Sequence, residues 1–439
     1  MTLPTRRPWW LPIFLGPIPP VEERHLSLLG AVALALIFEE YDLAMLTAAL
    51  PQIAESLQMA ESDLGLYLGM IRLGAIPAIA LIPYADRVGR RRVYLVSLVG
   101  TAIATLLTAF CQTPMQFVVC QMVTRTFFVA GSAIAFVMIA EEFPALHRGW
   151  GIGMLGALAA TGHGIAMGFF SMIDILPYGW RSLYAVGIVP LLLLPYFRRR
   201  IPETKRFEAH IEQTKSENGS FSLMPLFALY RDFPARTVGI ALIGFVPAVG
   251  LIGAFQFTGY VTQILRGWSP GQYASMVVFG GALGIAGNIV AGRLADRFGR
   301  RVVGISLLGS FPFWVALFYN GPGWAMPIAW IGFLFASQGG RVILRTLATE
   351  LFPTSQRASA TGLYTILEAI GGATGLFLIY MGSSGMDDIL SLITWLAFAV
   401  LVGGGVLLFF PETKHQELET ISARPHEAES ANHENGGSL

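Results

Sequence analysis

The chain of 439 residues is 54% hydrophobic and only 13% charged, with a mean hydropathy of +0.60. Soluble domains carry about a quarter of their residues as Asp, Glu, Lys and Arg, so this composition excludes a water-soluble globule and makes lipid the solvent for much of the chain. A formal net charge of +1 gives no footing for a nucleic-acid partner, and two cysteines supply neither a disulfide framework nor metal-ligand spacing.

In chain order, residues 1–25 read as a cytoplasmic or interfacial segment. Prolines interrupt its apolar stretch and no small-residue cleavage site follows, unlike a signal peptide. Trp9 and Trp10 beside Arg6 and Arg7 fit an interfacial anchor or an unanchored arm. Apolar runs of about 20 residues, enough to cross a hydrocarbon core, then recur. Spans are predicted at Leu26–Leu50, Asp63–Tyr84, Val93–Cys111, Met115–Ile139, Trp150–Ile173 and Trp180–Phe197. Cys111 and Cys120 are expected as two free, buried thiols, a bridge being the alternative. After a polar linker, 198–236, come Thr237–Leu265, Gln272–Leu294, Val302–Tyr319, Trp324–Ala348, Gly362–Met381 and Ile389–Phe409. Residues 26–197 and 237–410 are thus two six-helix bundles, and the polar tail, 411–439, is expected to be disordered.

Basic residues set the orientation. Alternate connections hold "DRVGRRR", "HRG", "RRRIPETKR", "DRFGRR" and "SQR", whereas the intervening ones are nearly free of Lys and Arg apart from Arg181 and Arg266. Positive loops stay on the cytoplasmic side. Both termini and the linker are therefore expected inside a plasma (inner) membrane, where the sequon at Asn218 is out of reach of glycosylation.

Three motifs occur twice, about 210 residues apart: "YADRVGRR" with "LADRFGRR", "EEFPALHRG" with "ELFPTSQRA", and "IPETK" with "FPETK". Their shared order indicates two homologous bundles, an arrangement found among secondary transporters. On these motifs the chain resembles the major facilitator superfamily from Leu26 to Lys414, in its metabolite:proton symporter and sugar-porter-like branch. "GRLADRFGRR" fits that superfamily's signature fully; in the first copy Ile82 replaces its leading glycine and Tyr84 a leucine. The resemblance implies an all-α integral membrane protein of twelve transmembrane helices. Asp86, Arg90, Glu141, Arg148, Asp296, Arg300, Glu350 and Arg357, joined by Glu203 and Glu412, are candidates for a cytoplasmic gate of ion pairs. Exposed pairs contribute only about 0–1 kcal/mol each, which suits a latch that must release; arginines that merely enforce topology are the alternative.

Scaffold is repeated, so function is sought in charges without a twin. Glu39 and Asp42 share a face of span 1, and Arg125 of span 4 lies at a similar depth. Such charges cost about 2.5–3.5 kcal/mol in mid-membrane, so they pair or line water. Asp42 is the candidate proton-coupling acid with Glu39 and Arg125; a static Asp42–Arg125 bridge is the alternative. The resemblance adds that related symporters often carry an acid in span 1 and an arginine in span 4, and "EEYD" is similar to the aromatic-acid and metabolite symporters. Arg341 is a candidate for a substrate carboxylate or for neutralisation by Glu368. His163, Arg72, Gln256 and Gln338 complete the substrate-binding candidates, Asn288 is a further cavity hydrogen-bonder, Arg345 is a gate or snorkelling residue, and Glu40 is unassigned.

Neither a nucleophile–base pair nor a metal-ligand set is present, so no enzyme activity, cofactor or metal is expected. The function expected is proton-driven alternating-access transport of a small organic anion by a monomer, with substrate, proton and lipid bilayer as partners. A sugar or polyol symporter, a drug or metabolite exporter and a non-transporting sensor are the alternatives.

Overall fold

A computed structural model describes residues 8–11, 18–204, 229–353, 356–410 and 412. Most of the linker with its sequon, and the tail beyond Glu412, lie outside the described residues, as do the side chains of Asp86 and Asn288.

The described residues are helical. The first group of helices is α1 (Glu23–Ala48), α2 (Leu50–Ser56), α3 (Leu64–Leu73), α4 (Ala75–Val88), α5 (Arg90–Thr108), α6 (Pro114–Glu142), α7 (Arg148–Phe170), α8 (Trp180–Ala185), α9 (Ile188–Leu192) and α10 (Leu194–Arg200). The second is α11 (Pro234–Gln256), α12 (Thr258–Tyr260) with a π-turn at Val261–Leu265, α13 (Pro270–Phe298), α14 (Arg300–Asn320), α15 (Met326–Glu350), α16 (Arg357–Gly382), α17 (Met386–Ala397) and α18 (Ala399–Val406). Among the described residues, nine helices are long and apolar enough to cross a membrane, or ten if the pair bent by 44° around Leu193 is one span. The chain is a multi-pass membrane protein.

Several predicted spans are broken, each for a local reason. The second divides at Gly74, whose carbonyl accepts a hydrogen bond from Thr126 Oγ1 at 2.6 Å. A Cβ at Gly74 would stand 2.4 Å from the Met122 carbonyl, so only glycine permits this approach of α6. The sixth is three short helices, because Pro190 and Pro195 each lack an N–H for the ladder. The seventh stops at Gln256 and resumes as α12 and the π-turn.

The chain forms two compact units. Unit 1 comprises Met1–Ala60, Met70–Phe221 and Thr258–Val278; unit 2 comprises Glu61–Gly69, Ser222–Phe257 and Phe279–Leu439. In unit 1, α1 packs on α7 and α5 on α6; in unit 2, α11 packs on α16 and α14 on α15. Corresponding glycines make one close crossing in each unit. A Cβ at Gly162 would lie 2.3 Å from the Ile37 carbonyl, and one at Gly371 would lie 2.2 Å from the Phe245 carbonyl.

Candidate functional site

The polar side chains of unit 1 gather where α1 interrupts its apolar sequence with Glu39, Glu40, Tyr41 and Asp42. Three residues apart on a helix share a face, and Glu39 and Asp42 are both buried, at 1% and 5% exposure. Asp42 Oδ1 accepts a hydrogen bond from Thr105 Oγ1 of α5 at 2.8 Å. Arg125 of α6 lines a narrow void with Glu39, Asp42 and Gln121, and its guanidinium lies 5.5 Å from the Phe128 ring centroid. Arg72 sits half-buried in the last turn of α3.

Glu40 points to another side of α1, where its Oε2 lies 3.2 Å from His163 Nδ1. Gly162 makes that pair by bringing α7 against α1. Cys111 and Cys120 are free, with Sγ atoms 3.7 Å apart.

In unit 2, one carboxylate meets two guanidiniums. Glu368 Oε1 lies 2.8 Å from Arg341 Nη2, and Oε2 lies 3.0 Å from Arg345 Nη2. Arg341 and Arg345 are one helical turn apart on α15, so a single residue of α16 reaches both. Gln338 precedes Arg341 by three positions and is half-buried, and Gln256 is buried at the end of α11.

The basic ends of the units carry the same construction twice. Arg90 Nη2 lies 2.8 Å from Glu141 Oε1, while Arg300 contacts Asp296 at 3.1 Å and Glu350 at 3.4 Å. Glu203 Oε1 accepts the backbone N–H of Arg91 at 3.1 Å. Glu412 accepts those of Arg300 and Arg301 at 2.9 and 3.1 Å. Both glutamates of the repeated Pro-Glu-Thr-Lys thus cap the helix that begins at the basic loop, where N–H groups lack intrahelical partners. Arg91 and Arg301 close the arrangement by donating to the carbonyls of Ile201 and Leu408. Arg357 Nε donates to Phe352 O, and Arg148 starts α7. Each of these contacts is internal to its unit.

Glu40 is named but given no role in the sequence reading, because its partner depends on how α1 and α7 are rotated. Thr105 and Gln263 were passed over. Gln263 Nε2 donates to Ala48 O at 2.9 Å, and its Oε1 accepts from Gln52 Nε2 at 2.7 Å. For Thr105 a signal existed, because Ser97, Thr101, Thr105 and Thr108 recur at helical spacing.

A family model for the Major Facilitator Superfamily matches residues 32–376 and 267–432. The chain is 27% identical over 361 residues to the gallate transporter of Pseudomonas putida, covering 74% of this chain and 78% of that one. It is 26% identical over 403 residues to a probable 4-methylmuconolactone transporter of Cupriavidus pinatubonensis, covering 87% and 90%. A crystal structure of a D-xylose-proton symporter superposes with a TM-score of 0.70 at 17% identity, covering 89% of this chain and 98% of that one. With a family match that runs across both sets of helices, the chain belongs to the major facilitator superfamily, as a secondary transporter of small metabolites.

Proposed function

We propose that this protein moves a small organic anion, a carboxylate or aromatic acid, across the membrane together with a proton, by alternating access. The observation that carries the anion is the Arg341–Glu368–Arg345 group. Two guanidiniums share one carboxylate, leaving one positive charge at membrane depth for a carboxylate that can bind bidentately. The likeness to transporters named for gallate and for 4-methylmuconolactone supports the same class. Asp42, Glu39 and Arg125 form the proton-coupling group: two buried carboxyls, each of which a proton neutralises, beside a guanidinium. His163, Arg72, Gln256 and Gln338 are assigned to substrate binding, and the ion pairs at the basic ends to the cytoplasmic gate.

In this reading twelve helices form two homologous six-helix bundles. Both termini lie on the cytoplasmic face of the plasma (inner) membrane, and the protein works as a monomer.

Uptake of a carboxylate panel into proteoliposomes, with and without an inward proton gradient, tests the reading. Gradient-stimulated gallate or benzoate uptake is the expected result, and transport of sugars alone would overturn it. Arg341→Lys is expected to weaken carboxylate binding about tenfold or more, by loss of the bidentate fork; unchanged affinity removes Arg341 from the site.

A further inference from the structure

Helix α5 carries four hydroxyls on one face, Ser97, Thr101, Thr105 and Thr108, and all four residues are buried. Two have partners: Thr105 donates to Asp42, and Thr108 donates to Ala104 O while accepting from Gln121 Nε2. The other two do not. Ser97 Oγ, Thr101 Oγ1 and both carboxyl oxygens of Glu39 are buried with no protein group in hydrogen-bonding reach.

Ser97 and Thr101 each adjoin Glu39. A Cβ at Gly131 of α6 would stand 3.0 Å from Glu39 Oε1 and 3.2 Å from Ser97 Cβ, so Glu39 and Ser97 meet at that glycine. Glu39, Thr101 and Thr105 line one narrow void with Tyr41 and Gly187. Glu39 and Asp42 line a second with Gln121 and Arg125. Glu39 therefore stands in the wall between the two. An unsatisfied buried polar group costs about 1–3 kcal/mol, and buried waters typically make about three hydrogen bonds to such groups. Glu39 and Thr101 on one void, with Ser97 beside Glu39 at Gly131, provide that environment.

We propose that Ser97 and Thr101 hold internal water against Glu39, and that this water joins Glu39 to Asp42 so that the two carboxyls keep one mobile proton between them. The inference rests on the proton-coupling reading of Asp42. In the transfer, the O–H bond at one carboxyl breaks as water takes its proton, and water passes a proton to the other carboxylate; the water is regenerated and net charge is conserved. Ser97 and Thr101 are positioning residues, since they act through the water.

The surrounding groups have other engagements. Tyr41 donates to Leu183 O and Tyr94 to Val32 O. Glu40 pairs with His163 of α7. Arg125 of α6 supplies the cation on the Asp42 side, and the Tyr184 hydroxyl of α8 is buried in the same unit.

The test is infrared difference spectroscopy of the purified full chain on acidification, which needs no substrate. Among the carboxyl C=O bands that appear, one is expected to be lost from its position in Asp42→Asn and in Glu39→Gln alike, and to shift in Thr101→Val and Ser97→Ala. Thr101→Ser, which keeps the hydroxyl, restores it. Persistence of the Asp42 band in Glu39→Gln, or a band indifferent to both hydroxyl deletions, overturns the proposal. A transport arm uses gallate as probe. Thr101→Val should slow gradient-driven uptake at least fivefold and leave counterflow of preloaded gallate within twofold. Parallel loss of both activities would make Thr101 merely structural and overturn its assigned part. If Asp42→Asn accumulates gallate normally, the coupling reading itself has failed. If Asp42→Asn is inert while Thr101→Val and Ser97→Ala match the unmodified protein, the water link alone has failed.

Discussion

A charged side chain in the middle of a membrane needs either a partner or water, and the two units meet this need differently. In unit 2 Glu368 is held by both Arg341 and Arg345, so removing its charge exposes two guanidiniums to one another. In unit 1 the acids of α1 meet different groups: Asp42 takes a hydroxyl, Glu40 an imidazole, and Glu39 has no hydrogen-bond partner among the described residues. Asp42→Asn keeps the shape and the Thr105 contact but cannot carry a proton. It is expected to abolish gradient-driven accumulation and to spare counterflow, as measured with radiolabelled substrate. Charges at this depth were legible in the sequence because they cost so much that few are present. Of their pairings, Arg341 with Glu368 stood among the alternatives the sequence offered, whereas Glu40–His163 depends on the rotation of α1 against α7, and Arg345 joins Glu368 because it shares a helix face with Arg341.

At the level of elements, glycine decides which helices touch. Gly162 and Gly371 let α7 and α16 meet the carbonyls of Ile37 and Phe245, and Gly375 sits where a Cβ would be 2.0 Å from Val249 O. A backbone carbonyl cannot step aside as a side-chain end can, so Gly375→Leu must separate α11 from α16. The expected result is loss of monodisperse protein on size-exclusion chromatography in detergent, with Gly281→Ala as control, since a Cβ there meets nothing within 4 Å. The hydropathy of these stretches announced spans, yet it could not announce the breaks at Gly74 and Gln256. Both are imposed by neighbours from elsewhere in the chain: Met122 and Thr126 stand against the first, while beyond the second Gly259 meets the Thr47 carbonyl. The breaks in the sixth span follow from prolines that were visible, and there the apolar run outweighed them in the sequence-based expectation.

For the molecule as a whole, recurrence is the organising feature: three motifs stand in the same order in both units. The repeated motifs identified the family before any coordinate was known, and the caps made by Glu203 and Glu412 occupy corresponding positions in the two units. Each cap is a carboxylate at a helix start, so Glu412→Gln should lower stability by about 1 kcal/mol, read as a reduced melting temperature in detergent; an unchanged melting temperature would show that the carboxylate's charge adds nothing. Transport coupled to an inward proton gradient also has a sign. Acidifying the side from which substrate is taken should accelerate uptake by the unmodified protein, and should have little effect on Asp42→Asn.

The distance along the chain between each cap and its helix has a consequence for how the protein is made. Arg91 and Glu203, like Arg300 and Glu412, are 112 residues apart. At about 5–20 residues per second, the ribosome takes roughly 6–20 seconds after each third span emerges to deliver the glutamate that finishes it. Until then the first N–H groups of α5 or α14 have only water or lipid headgroups to meet. Each half is therefore completed by its last residues, and a nascent chain released just short of either glutamate leaves the membrane holding an open helix end.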